Sequence, residues 1–176
     1  MHVRLPLAGT ALLGAILLAP VPSEAGSALD KVLQPACREV TCVIQDNPGG
    51  NVVTFEAAAQ EVLSEGKQLI IDGKCDSACV ILADIARSNT CLTPKAELAV
   101  HQSAIIKIVG KTSVSGRSVP VAKVISRQDP PQSADIAAWV NSRGGYPTEG
   151  FMKIPIEEAR LFWSMCEMTK GATTSR

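Results

Sequence analysis

The sequence predicts an α/β protein with a mostly parallel sheet and crossover helices. Three observations carry that expectation. Strand-like runs alternate with helical stripes between residues 39 and 101. The segment QLIID at 68–72 is a nearly continuous apolar run, the pattern of a strand buried on both faces of a parallel sheet. Glycine-containing turns separate successive elements, and strand–helix alternation of this kind builds parallel sheets with right-handed crossovers.

Taken in order, residues 39–45 (EVTCVIQ) read as a β-rich strand ending in Asn47-Pro48-Gly49-Gly50, a strong turn signal. Phe55, Ala58, Ala59, Val62 and Leu63 then recur at helical spacing on one face, and Gly66 stops the helix. The strand at 68–72 leads to Gly73, read as a turn, and to a helix over 77–86 (SACVILADIA). Further strands fit 90–92 and 97–101. Segments 105–109 and 112–118 form a hairpin about Gly110. Ser133 caps a helix over 133–143, with Ile136, Trp139 and Val140 on one face and Gly144 as its stop. A short strand over 151–154 precedes Pro155, which suits the first turn of a last helix.

The first 25 residues have the parts of a secretory signal: His2 and Arg4, an apolar centre over 5–18, and Ser23-Glu24-Ala25 as a small-x-small cleavage site. The apolar centre is bounded by Pro20 and falls short of the roughly 20 residues needed to cross a bilayer. Cleavage near Ala25 leaves residues 26–176 as a single domain, periplasmic or secreted. All six cysteines, Cys37, Cys42, Cys75, Cys79, Cys91 and Cys166, lie in that part, and an even count in an exported chain argues for disulfides. Their spacings lack the paired CxxC or histidine partners of a zinc site, so neither metal nor cofactor is expected. The 17 basic and 17 acidic residues balance, with no basic stripe and few aromatics, which gives nucleic-acid binding no support.

Three places carry candidate chemistry. Gly49-Gly50 lets backbone N–H groups approach a negatively charged oxygen, although Pro-Gly-Gly is commonly a plain turn. Ser77 opens a helix at the carboxyl end of a strand, where it is either a helix cap or a nucleophile. His101 closes the apolar strand Leu98-Ala99-Val100; the other of the two histidines is His2, so His101 is the one general base of its kind in the mature chain.

The order of these motifs resembles the proteolytic subunit of the Clp protease, within the crotonase-like superfold, from about Cys42 to Phe162. That family carries a strand ending in Asn-Ser-Pro-Gly-Gly, matched by Gln45-Asp46-Asn47-Pro48-Gly49-Gly50. Its glycine, small residues and nucleophilic serine correspond to 73–77, its Cys-Leu-Pro to Cys91-Leu92-Thr93-Pro94, and its Ile-His-Gln to Val100-His101-Gln102. A nearer resemblance is to short exported bacterial proteins with the Ile-Asp-Gly-x-Cys-x-Ser-Ala-Cys run seen at 71–79.

The resemblance implies a serine peptidase or hydrolase acting on a peptide or protein. Ser77 would be the nucleophile, His101 the base, and the Gly50 and Ala78 amides the oxyanion hole, with Gly49 and Gly73 shaping the turns. The family's aspartate frame falls on Glu149, two residues before Phe151, with Asp129 and Asp135 in reserve. Cys79, one helical step beyond Ser77, is placed within reach of Cys91, one of fifteen connectivities that six cysteines allow. The chain before Gly49 is too short for the family's first strand-and-helix unit, so the sheet is truncated at its N-terminus. Residues 103–132 replace the family's long handle helix, so no ATP-driven unfoldase partner is expected, while a homo-oligomer stays compatible. The alternative is a non-catalytic, disulfide-stabilised binding protein of the same fold. An acyl-CoA enzyme, a lysine base (Lys107, Lys111 or Lys123) and a Cys79 nucleophile are the lesser readings.

Overall fold

Leu69 and Ile71 are fully buried in the longest strand of the main sheet, and the other elements are arranged around it. The computed structural model describes residues 27–33 and 37–167; the expected signal segment and the expected cleavage site near Ala25 lie outside them. The helices are α1 (Ala28–Val32), α2 (Val52–Ser64), α3 (Ala78–Ile85), α4 (Ala134–Asn141) and α5 (Ile156–Ala159). The strands are β1 (Thr41–Asn47), β2 (Gln68–Asp76), β3 (Thr90–Leu92), β4 (Glu97–Val100), β5 (Ser103–Val114), β6 (Arg117–Gln128), β7 (Met152–Ile154) and β8 (Ser164–Met165).

One edge of β2 pairs with β1, while the other is shared: β3 takes its first half and β4 its second, all three parallel to it. β8 extends the sheet beside β3, and β7 closes it antiparallel to β4. β5 and β6 form a separate antiparallel pair. The α2 stripe buries Phe55, Ala58, Ala59 and Val62, as its spacing requires. α3 is buried along nearly its whole length, from Ala78 to Asp84, which explains why it is apolar all round. Ile136, Trp139 and Val140 of α4 join the same continuous core.

The expected mostly parallel, crotonase-like sheet is not what the chain builds. Antiparallel ladders hold as many paired residues as parallel ones, and the fold is mixed α/β. The long β5–β6 pair is the main reason, and its reversal lies at Ser115-Gly116, both at positive φ, rather than at Gly110. Gly110 instead sits beside a register shift inside β5. Gly73 likewise is no turn. It lies within β2, opposite an irregularity in β1, where a Cβ would collide with the Gln45 carbonyl.

The cysteines pair as Cys37–Cys42, Cys75–Cys79 and Cys91–Cys166. The expected Cys79–Cys91 link is therefore overturned: Cys79 closes on its own turn, and Cys91 of β3 reaches the chain just past β8, its sheet neighbour.

Candidate active site

Strand β2 runs into helix α3 through a single residue, Ser77. So abrupt a reversal forces Ser77 to φ 57° and ψ −121°, a region that costs a non-glycine residue about 1–3 kcal/mol. The Ser77 amide donates to the Ala99 carbonyl at 2.8 Å, tying the turn to β4. The Cys75–Cys79 disulfide spans the same turn, and both cysteines are fully buried. Strand, disulfide and helix together hold the strain.

The side chain does not spend itself on the helix. Ser77 makes no capping hydrogen bond, which removes the cap as the reason for a serine here. Its Oγ lies 2.7 Å from Nε2 of His101, the residue immediately after β4. For the hydroxyl to donate to Nε2, the imidazole must carry its ring proton on Nδ1. The His101 ring meets Phe151 edge-on, with centroids 4.7 Å apart, which fixes its other flank.

Partial burial is the largest influence on His101 and lowers its pKa below the usual histidine value. The positive charge of Arg127 lowers it further, while the Asp76 carboxylate and the Gln102 backbone act in the opposite sense. The net effect is a neutral imidazole near neutral pH, the state that accepts a proton.

The double-glycine loop closes on this turn from β1. Asn47, buried, donates from its side-chain amide to the Val32 carbonyl and accepts the Gly49 amide at 2.9 Å. Gly49 has φ +82°, and a Cβ there would lie 2.7 Å from the Ser77 Cβ and 2.8 Å from the Ala78 nitrogen. Only glycine fits so close an approach. Among the described residues, neither the Gly50 nor the Ala78 amide donates to a protein acceptor. Gly50, Ser77 and His101 line one cleft of about 670 Å³, walled by Val52 and Val53 on one side and by Ile105 and Ile106 on the other. That volume is within the range of small-molecule and peptide sites.

The carboxylate members of the expected site are placed elsewhere. Glu149 lies exposed in the bend before β7 and makes no hydrogen bond to His101 among the described residues. Phe151, two residues on, occupies the flank of the imidazole instead. Asp129 accepts from the Gln102 side chain at 3.3 Å. Asp135 pairs with Arg87, which holds its carboxyl well below the usual range, and Arg87 also engages the buried Asp84. Asp76, buried next to the serine and 3.3 Å from Lys74, makes no hydrogen bond to His101 among the described residues, and its negative charge only partly offsets the downward pull on the His101 pKa. Sequence reasoning passes over it, although its place beside Ser77 is the available signal. No acidic or Cys/His cluster able to hold a metal ion occurs among the described residues.

No helix among the described residues is long and apolar enough to cross a membrane, and the three disulfides fit an oxidising compartment. Neither family models nor curated proteins match this chain, and the functional reading therefore rests on the geometry of the Ser77 turn.

Proposed function

We propose that the chain is an exported serine hydrolase, periplasmic or secreted, that cleaves peptide or other acyl bonds with a Ser77–His101 pair. The observation that carries this reading is the 2.7 Å approach of His101 Nε2 to a serine held in a strained strand-to-helix turn, with no capping role of its own. A hydroxyl is a weak nucleophile unaided, and an adjacent neutral imidazole is what activates it.

In this mechanism His101 Nε2 takes the Ser77 proton as Oγ bonds to the substrate carbonyl carbon. The oxyanion is stabilised by the Gly50 and Ala78 amides, each worth about 3 kcal/mol in comparable sites. His101 then returns the proton to the leaving group, the acyl-serine forms, and a water activated by the same imidazole releases it. The Asp76 charge favours the imidazolium through space, against the opposing effects of burial and Arg127.

Hydrolysis of a chromogenic ester and of a mixed-peptide substrate tests the reading: turnover lost in Ser77→Ala supports it, and turnover equal in both proteins opposes it. A second reading, a disulfide-stabilised binding module, is favoured by one observation. Among the described residues no carboxylate is hydrogen-bonded to His101, so none of them serves as the third member that usually orients the imidazole. That reading predicts ligand retention in the cleft without turnover.

A further inference from the structure

The balanced charge of the whole chain conceals a local excess. The segment 103–128, which forms β5 and β6, carries Lys107, Lys111, Arg117, Lys123 and Arg127, five of the 17 basic residues, and none of the 17 acidic ones. The expectation of no basic stripe is corrected here. None of these five cations has an ion-pair partner among the described residues. The arm also holds nine of the fourteen exposed large hydrophobics among the described residues, including Ile106, Ile108, Val109, Val124 and Ile125. Among the described residues its two strands pair only with each other. At 12 residues per strand, it is about 40 Å long.

From these features we infer that the β5–β6 arm docks on an anionic lipid bilayer. A surface combining unpaired cations with exposed branched aliphatics matches the two components of a membrane interface. Its anionic headgroups attract Lys and Arg, and its acyl boundary takes up Ile and Val. A nucleic acid satisfies the charges but not the aliphatics, and the arm has no aromatic residue to stack on bases. Arm-to-arm pairing of two copies would bring like charges together at close range. Lysines also discourage edge-to-edge strand association, which disfavours that arrangement further. The base of the arm, at Ser103 and Gln128, lines the cleft that holds Ser77 and His101, so docking sets that cleft at the lipid surface. The inference does not depend on the cleft being catalytic.

The test is co-sedimentation of the full chain with vesicles of mixed phosphatidylglycerol and phosphatidylcholine, against phosphatidylcholine alone. The expected result is partitioning onto the anionic vesicles that weakens as salt rises. The triple variant Lys107→Gln, Lys111→Gln, Lys123→Gln should partition about a hundredfold more weakly, at about 1 kcal/mol per basic residue near an anionic surface. Ile108→Ser with Ile125→Ser should also weaken binding at unchanged charge. Disulfide mapping and circular dichroism confirm that each variant is folded. Equal partitioning onto neutral vesicles, partitioning unchanged by neutralisation, or arm-dependent self-association without vesicle binding would each overturn the inference.

Discussion

A side chain at position 49 would have to occupy the space already filled by Ser77: the Cβ positions would be 2.7 Å apart, with the Ala78 nitrogen at 2.8 Å. The double glycine therefore sets the distance between the β1 loop and the β2–α3 turn. Gly49→Ala, which also adds strain at φ +82°, is expected to destabilise the protein by about 2–4 kcal/mol. It should also suppress reaction at Ser77 in whatever fraction remains folded. Urea unfolding combined with the rate of fluorophosphonate labelling separates the two effects; wild-type values for both would mean that the loop does not press on the turn.

The disulfides separate stability from reactivity. Cys91–Cys166 closes a loop of 75 residues in sequence separation and Cys75–Cys79 one of 4. Chain entropy then predicts a cost of about 4 kcal/mol for losing the first and about 2 kcal/mol for losing the second. Ser77 reactivity should follow the reverse order, because only Cys75–Cys79 spans the nucleophile turn. Paired Cys→Ala variants, measured for midpoint of unfolding and for labelling rate, show whether the two rankings oppose each other. Parallel rankings would remove the short disulfide from any positioning role.

The pH dependence follows from His101. Burial and Arg127 lower its pKa, so the native state holds fewer protons there than the unfolded chain. Its contribution to stability is fully present above the unfolded value of about 6.5 and is lost as pH falls through the lower folded value. Reactivity of Ser77 should rise with pH through a midpoint below about 6.5. Arg127→Gln removes a positive charge and should move that midpoint up; Asp76→Asn removes a negative one and should move it down. Titration of the imidazole by NMR reads both shifts, and shifts of the opposite sign would refute the assigned electrostatics.

Glu149 is exposed and makes no hydrogen bond to the imidazole, so Glu149→Gln should leave labelling of Ser77 within about twofold of wild type. A loss of several orders of magnitude, as when a triad acid is removed, would mean that this carboxylate swings in when substrate binds.

The parts of the fold legible in the sequence are those set by neighbouring residues. The α2 stripe and the strand through Leu69 and Ile71 depend on local periodicity, while the approach of Ser77 to His101 is implied only by the resemblance in motif order and spacing. What was illegible depends on partners distant in sequence. β7 pairs antiparallel with β4 across some fifty residues, and two-residue β8 exists because Cys166 anchors the chain beside β3. Gly73 looks like a turn because nothing in its own segment announces that β1 crosses its open face. The Ser115-Gly116 dipeptide does signal the arm's reversal, but Gly110 competes with it in an alternating stretch where either register pairs well. Charge clustering was diluted by averaging over the chain.

The most direct measurement is mass spectrometry of the oxidised, folded protein after exposure to a fluorophosphonate. A phosphonylated peptide containing Ser77 is expected in the wild type. The adduct should be absent in Ser77→Ala and formed at least a hundredfold more slowly in His101→Ala, roughly the contribution of a positioned general base. An unmodified Ser77 in a protein with all three disulfides intact would contradict catalysis by this pair.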